Sequence, residues 1–136
     1  MQENVRLNRV YDKVVPMLGD AKSLIEKRLC NVADRILMPL PEKAYEYLPI
    51  ALLALKKTGG WIHYYDFEHA QKNENPIEKT KGKVAEKLQS LGVDFQIPYG
   101  RVVRTTGPNW YQIVSDIKTN SRISEHVEEA CALADK

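Results

Sequence analysis

Cysteine is scarce in this chain. Cys30 and Cys131 are the two present, far apart and in no C-x-x-C arrangement. No redox motif is expected from them, and no structural disulfide in a chain of cytosolic character. Histidine is equally sparse. His63, His69 and His126 bring no cysteine partner at ligand spacing, so no metal site is expected. No apolar run approaches the ~18–20 residues of a membrane span. The opening Met1-Gln2-Glu3-Asn4-Val5-Arg6 has no apolar signal region. The expectation is therefore a cytoplasmic protein without a membrane. Repeats and low-complexity tracts are absent. So is a strong charge of one sign: the formal charge is +2, with 28% charged residues. A dedicated nucleic-acid binder shows a more clustered basic stripe and a more extreme pI.

What is present suits a single domain spanning residues 1–136, with 43% hydrophobic residues available for one core. A helix is expected around Gln2 to Val10. A short strand follows at Val14-Val15-Pro16-Met17-Leu18, closed by Gly19-Asp20-Ala21, then a weak helix from Lys22 to about Leu29. The most informative stretch runs from Ala33 to Ala44. Its apolar strand, Arg35 to Met38, stops at Pro39-Leu40-Pro41 and hands over to a helical pattern. Proline removes a backbone donor and prevents the strand from extending. In an open α/β sheet, ligands bind at the carboxyl ends of strands, so this tip is expected to face a pocket.

The best helix is Glu42 to about Lys57, where Ala44, Leu48, Ala51, Leu52 and Leu55 form one apolar stripe. Pro49 is expected to kink or divide it, and Gly59-Gly60 to end it. Trp61 to Phe67 reads as a mostly buried strand. Asn75-Pro76-Ile77-Glu78 is a helix start, with Asn75 as cap and Pro76 in the first turn. Ile77, Val84, Leu88 and Leu91 give that helix a core face, and Gly92 ends it. Strands near Asp94 to Arg104 and Trp110 to Lys118 flank the turn Thr105-Thr106-Gly107-Pro108-Asn109, which implies an antiparallel hairpin. A last helix is expected from about Ile123 to Ala134. The order β-α-β-α-β-α-β-β-α implies an α/β fold. Its sheet would be mostly parallel, with an antiparallel C-terminal strand.

These pieces, in this order, carry a resemblance. The segments are Glu3-Asn4-Val5-Arg6-Leu7-Asn8, Gly19-Asp20-Ala21, Ala33 through Pro41, and Gly60-Trp61-Ile62-His63-Tyr64-Tyr65. Val103-Arg104, Gly107-Pro108, Trp110-Tyr111 and Asp116-Ile117-Lys118 complete the set. The chain resembles the archaeal and eukaryotic tRNA guanine-N1 methyltransferases, with their wybutosine-pathway relatives. The resemblance implies an incomplete Rossmann-like, class I methyltransferase sheet. The family's glycine-rich cofactor loop and acidic strand have no counterpart here. The chain is thus expected to be a fragment, the C-terminal part of a catalytic domain. Many relatives carry Asn-Leu-Pro where this chain has Pro39-Leu40-Pro41, and proline lacks the amide of Asn.

The resemblance also implies roles. S-adenosylmethionine is the family's cofactor. Asp20 would accept a hydrogen bond from its adenine amino group, with Ala21, Met38 and Pro39 completing the cofactor wall. Residue type alone favours Asp20 as the cap of the next helix, and the resemblance brings the cofactor role level with it. Pro39 and Pro41 would shape the floor between methyl donor and base. Pro41, Tyr64, Arg104 and Trp110 are the expected substrate contacts. Basic and aromatic groups around the hairpin suit either an RNA loop or simple packing with snorkelling arginines. Lys79, Lys83 and Lys87 line one helix face, where solvation competes with phosphate binding. Neighbours in the strand His63-Tyr64-Tyr65 point to opposite faces, so at least one belongs to the core. No catalytic residue is assigned, because the family's proton-accepting carboxylate lies upstream of the matching residues.

Three functions follow: a tRNA guanine-N1 methyltransferase, an aminocarboxypropyl transferase using the same cofactor, or a non-catalytic remnant. The chain alone is expected to be inactive and to bind the cofactor weakly or not at all. The tRNA partner is reached in the family through an N-terminal region. Two strands are expected to be missing between Val14–Leu18 and Arg35–Met38. That gap would drive direct strand pairing or, preferentially, a homodimer.

Overall fold

The computed structural model describes residues 2–10 and 12–122. The expected last helix, Ile123 to Ala134, lies outside the described residues. Helix α1 (Gln2–Leu7) and helix α2 (Ala21–Arg28) precede strand β1 (Arg35–Met38), helix α3 (Ala44–Ala54) and strand β2 (Gly60–His69). Helix α4 (Pro76–Ser90) and the strands β3 (Val93–Gly107) and β4 (Trp110–Arg122) complete the order. The four strands form one sheet in the order β1-β2-β4-β3. β1 and β2 are parallel, and β4 runs antiparallel to both β2 and β3. Three strands therefore share one direction and β4 opposes them, as the short Gly107-Pro108-Asn109 connection requires.

That connection has two residues between Gly107 and Trp110, with Asn109 at φ 61°, a conformation Asn tolerates. β3 lies at the sheet edge, which explains how it accommodates Pro98. The ladder breaks register between Gln96 and Tyr99, where proline has no N–H to donate.

The core lies between one face of the sheet and helices α3 and α4. Leu48, Leu52 and Leu55 meet Ile62, Tyr64, Val84, Leu88 and Ile117, all fully buried. The inward residues of β2 alternate as a half-buried strand requires. α4 begins as expected: Asn75 Oδ1 accepts from the amides of Ile77 and Glu78. Gly92, at φ 70°, follows its end.

Three expectations are corrected. Val14–Leu18 is not a strand. Pro16 sits at its centre and removes a ladder donor, and Leu18 is 99% exposed. Pro49 does not divide α3, which runs unbroken from Ala44 to Ala54. The helix instead stops before Lys57, because Leu55 turns extended and bridges Ala33. Finally, Cys30 is disulfide-bonded, against the expectation of reduced thiols.

Candidate site at the carboxyl end of the parallel strands

β1 ends at Met38, and Pro39 has no amide with which to continue the ladder. The chain lifts away there and opens a cavity of about 380 Å³ between α2, β1 and α3. Ala21 and Ile25 line one side, Met38 and Pro39 the strand tip, and Tyr47 and Ile50 the α3 side. Lys43 is the charged residue in the lining, which contains no carboxylate. This is an apolar slot suited to a flat ring or a thioether.

Three of the four expected cofactor residues, Ala21, Met38 and Pro39, converge on this cavity. The fourth, Asp20, stands immediately before it as the N-cap of α2. Its Oδ2 accepts from the Ser23 amide at 3.3 Å and the Ser23 hydroxyl at 3.4 Å. Capping is therefore its role within the chain. Oδ1 takes no hydrogen bond among the described residues.

The expected substrate residues are dispersed. Pro41 is two residues beyond the tip, outside the cavity lining. Tyr64 is fully buried and its hydroxyl donates to Asp66 Oδ2 at 2.7 Å. It faces the core and offers no surface to a base, which corrects that assignment. β2 runs five residues past Tyr64 to His69, which pairs with Trp110, about 16 Å further along at ~3.3 Å per residue. Trp110 is exposed there and meets the His69 ring edge-on, centroids 5.0 Å apart. Arg104 lies opposite Gln112 and donates from Nε to its Oε1 at 2.9 Å.

The other candidates resolve into structural pairs. His63 Nδ1 lies 2.6 Å from Asp116 Oδ1, and Arg35 Nη1 lies 2.8 Å from His63 Nε2. An arginine can only donate, so the neutral ring carries its proton on Nδ1 toward Asp116. Lys79 binds Glu74 at 3.0 Å and the His69 carbonyl at 2.8 Å. Lys83 binds Asp66 at 2.5 Å and Glu68 at 3.4 Å. Lys87 lies 5.1 Å from the Tyr45 ring centroid. The lysine row is thus committed to partners within the chain.

Sequence reasoning missed the polar cluster around Asp66. Its carboxylate is buried, accepts from Tyr64 and the Phe67 amide, and meets Lys83. The signal was a charge on the inward phase of β2. Burial, then the bond to Asp66, pushes the Tyr64 hydroxyl far above its ordinary range. Burial pulls the Lys83 ammonium down, and the Asp66 hydrogen bond with the charges of Asp66 and Glu68 more than offsets it, so the net shift is upward.

Comparison with known proteins agrees with this architecture. The chain is 38% identical over 120 residues to the tRNA 4-demethylwyosine(37)-methyltransferase Taw21 of Saccharolobus solfataricus, covering 88% of this chain and 40% of that protein. It is 34% identical over 120 residues to the tRNA (guanine(37)-N(1))-methyltransferase Trm5b of Pyrococcus abyssi, covering 88% of this chain and 33% of that one. The crystal structure of that Trm5b superposes with a TM-score of 0.71. The M. jannaschii TYW2 structure in complex with AdoMet superposes at 0.71, with 26% identity, covering 88% of this chain and 51% of that one. The chain spans between a third and two fifths of the length of these curated relatives. The model of the TRM5/TYW2 methyltransferase domain matches residues 1–93, and the chain belongs to that family.

Proposed function

We propose that this chain forms the adenine and methyl-donor wall of an S-adenosylmethionine-dependent enzyme that modifies the purine at position 37 of tRNA, first as a guanine-N1 methyltransferase. The observation that carries the reading is the apolar cavity at the tip of β1. Its lining fits part of the cofactor. Ala21 and Ile25 would flank the adenine, Met38 and Pro39 the sulfonium side, and the free Oδ1 of Asp20 would accept from the adenine amino group. When bound, the cofactor supplies an electrophilic carbon. The lining has no carboxylate to accept from the paired ribose hydroxyls. One hydrogen bond to a carboxylate, contributing about 1.5–3 kcal/mol, does not offset the cost of immobilising such a ligand. The 136-residue chain by itself would therefore bind the cofactor weakly or not at all and be inactive.

Arg104 and Trp110 would serve the tRNA side, and Pro41 the floor beneath the base. A second reading is transfer to a tricyclic base, as a methyl or aminocarboxypropyl group. It is favoured by the 38% identity to the Taw21 relative and by Pro39, which has no side-chain amide. Calorimetry tests the proposal. The chain alone should show a Kd weaker than about 1 mM, an affinity of about 4 kcal/mol. The same chain fused behind the preceding catalytic-domain segment of the Pyrococcus relative should bind at micromolar concentration. Micromolar binding by the chain alone would refute the wall argument. No binding by the fusion would refute the cofactor assignment and favour a non-catalytic remnant.

A further inference from the structure

We propose that Trp110 is a stacking platform for an unpaired RNA base, with Arg104 holding the phosphate beside it. The inference rests on the tRNA reading above and names the contact by which this chain would grip that substrate.

Four observations converge. Trp110 is 46% exposed, although a residue of its size usually hides most of its surface. It is also held rigidly. It opens β4 directly after a two-residue turn, and that turn is tied to β2 by the Ala70 amide donating to the Asn109 carbonyl at 2.9 Å. His69 presses its ring against the indole at an interplanar angle of 70° and so fixes its orientation from one side. Its own backbone carbonyl is held by Lys79.

Charge supplies the third observation. Arg104 projects from β3 opposite Gln112, two residues along β4 from Trp110. Diagonal neighbours of this kind lie about 7–8 Å apart. Gln112 engages only Nε of Arg104, and the two terminal nitrogens have no hydrogen-bond partner among the described residues. A guanidinium edge thus lies free beside an exposed aromatic face. Single-stranded RNA is held in this way, by bases stacked on aromatic rings and phosphates on arginine. Location is the fourth. Both residues sit toward the carboxyl end of β2, the end at which the β1 cavity opens, but about 16 Å beyond the β1 tip at ~3.3 Å per residue, so a base stacked here would be several nucleotides removed from the one presented to the cavity.

Trp110 and Trp61 are the two tryptophans, so Trp61→Phe leaves Trp110 as the sole indole reporter in the full 136-residue chain. Titration with an anticodon stem-loop RNA should quench its emission, and a blunt duplex of equal length should not. Trp110→Ala should weaken stem-loop binding about tenfold, since one stacked base is worth about that factor. Trp110→Phe should retain most of the affinity. Arg104→Gln should reduce the slope of log Kd against log salt by about 1. His69→Ala should lower the free-state anisotropy of Trp110 emission and weaken binding less than Trp110→Ala does. Binding of the stem-loop with unchanged Trp110 emission and unchanged affinity in Trp110→Ala would overturn the platform and leave the tRNA reading intact. Failure of the chain to bind either RNA at low salt would overturn the platform together with the RNA contacts of the proposed function. Equal quenching by the duplex would also overturn it, because the platform needs an unpaired base.

Discussion

The hydroxyl of Tyr64 donates to the carboxylate of Asp66 two residues along the same strand, at 2.7 Å. Both face the core, and Lys83 reaches the same carboxylate oxygen from α4. The carboxyl end of β2 is thereby fastened to α4 by charge as well as by apolar packing.

Removing the cation should be costly. Lys83→Met leaves the buried Asp66 charge without its counter-ion, and such losses cost about 3–5 kcal/mol when fully buried. Lys83 is 37% exposed, and solvent screening reduces this to about 1–3 kcal/mol. Urea denaturation of Lys83→Met, Asp66→Asn and the double variant would measure it. The two changes should be clearly non-additive, and additive losses would show the pair to be uncoupled.

Stability should fall in alkali. The Tyr64 hydroxyl is raised in the folded state, so its contribution is fully present below the ordinary tyrosine value near 10. Above that pH the unfolded chain releases a proton that the folded chain keeps, and stability declines by about 1.4 kcal/mol per pH unit. Lys83, also raised, acts in the same direction. Denaturation midpoints between pH 8 and 11 should drop less steeply for Tyr64→Phe. Parallel curves would contradict the assignment.

Gly59→Ala should be severely destabilising. Gly59 holds φ at 104°, and an added Cβ would lie 2.2 Å from the Thr119 carbonyl oxygen. The backbone strain alone is about 1–3 kcal/mol, and the clash with β4 adds to it. Gly82→Ala is the control, since a Cβ there meets nothing within 4 Å and alanine favours helix by about 1 kcal/mol. A thermal melt should show the first variant falling and the second holding or rising. Equal melting temperatures would reject the close-approach argument.

The chain should associate. β1 pairs with β2 on one side, and its Leu37 is 65% exposed, near Leu40 at 55%. Val14–Leu18 does not pair with it, so the repair by direct strand pairing is not used. An apolar strand bordered in this way is a template for another chain. Light scattering at micromolar concentration should report a species larger than a monomer, and Leu37→Lys should dissociate it. A monomeric wild-type chain would rule the association out.

Much of this molecule is local, and the sequence by itself determined it. Apolar spacing placed α3 and α4, and Asn75-Pro76 marked the start of α4. Pro39 ended β1, and the turn-forming stretch Thr105 to Asn109 forced β4 to reverse, although β3 proved to run on to Gly107 and to leave only two residues in the turn. Each is a consequence of φ, ψ and one missing or supplied hydrogen bond, so neighbours in sequence are enough to decide it. The proline stop after β1 likewise indicated where a cavity opens. Partnership across the fold was decided only by the tertiary structure. Asp20 was ambiguous until Ser23 was seen on its carboxylate. Tyr64 was expected at a base and went to the core, because the pairing of β2 with β1 and β4 set which face it occupied. Asp66 became tolerable inside the protein only when α4 brought Lys83 to it. Burial, charge pairing and the free face of Trp110 depend on contacts between residues distant in the chain, and local preference carries no information about those.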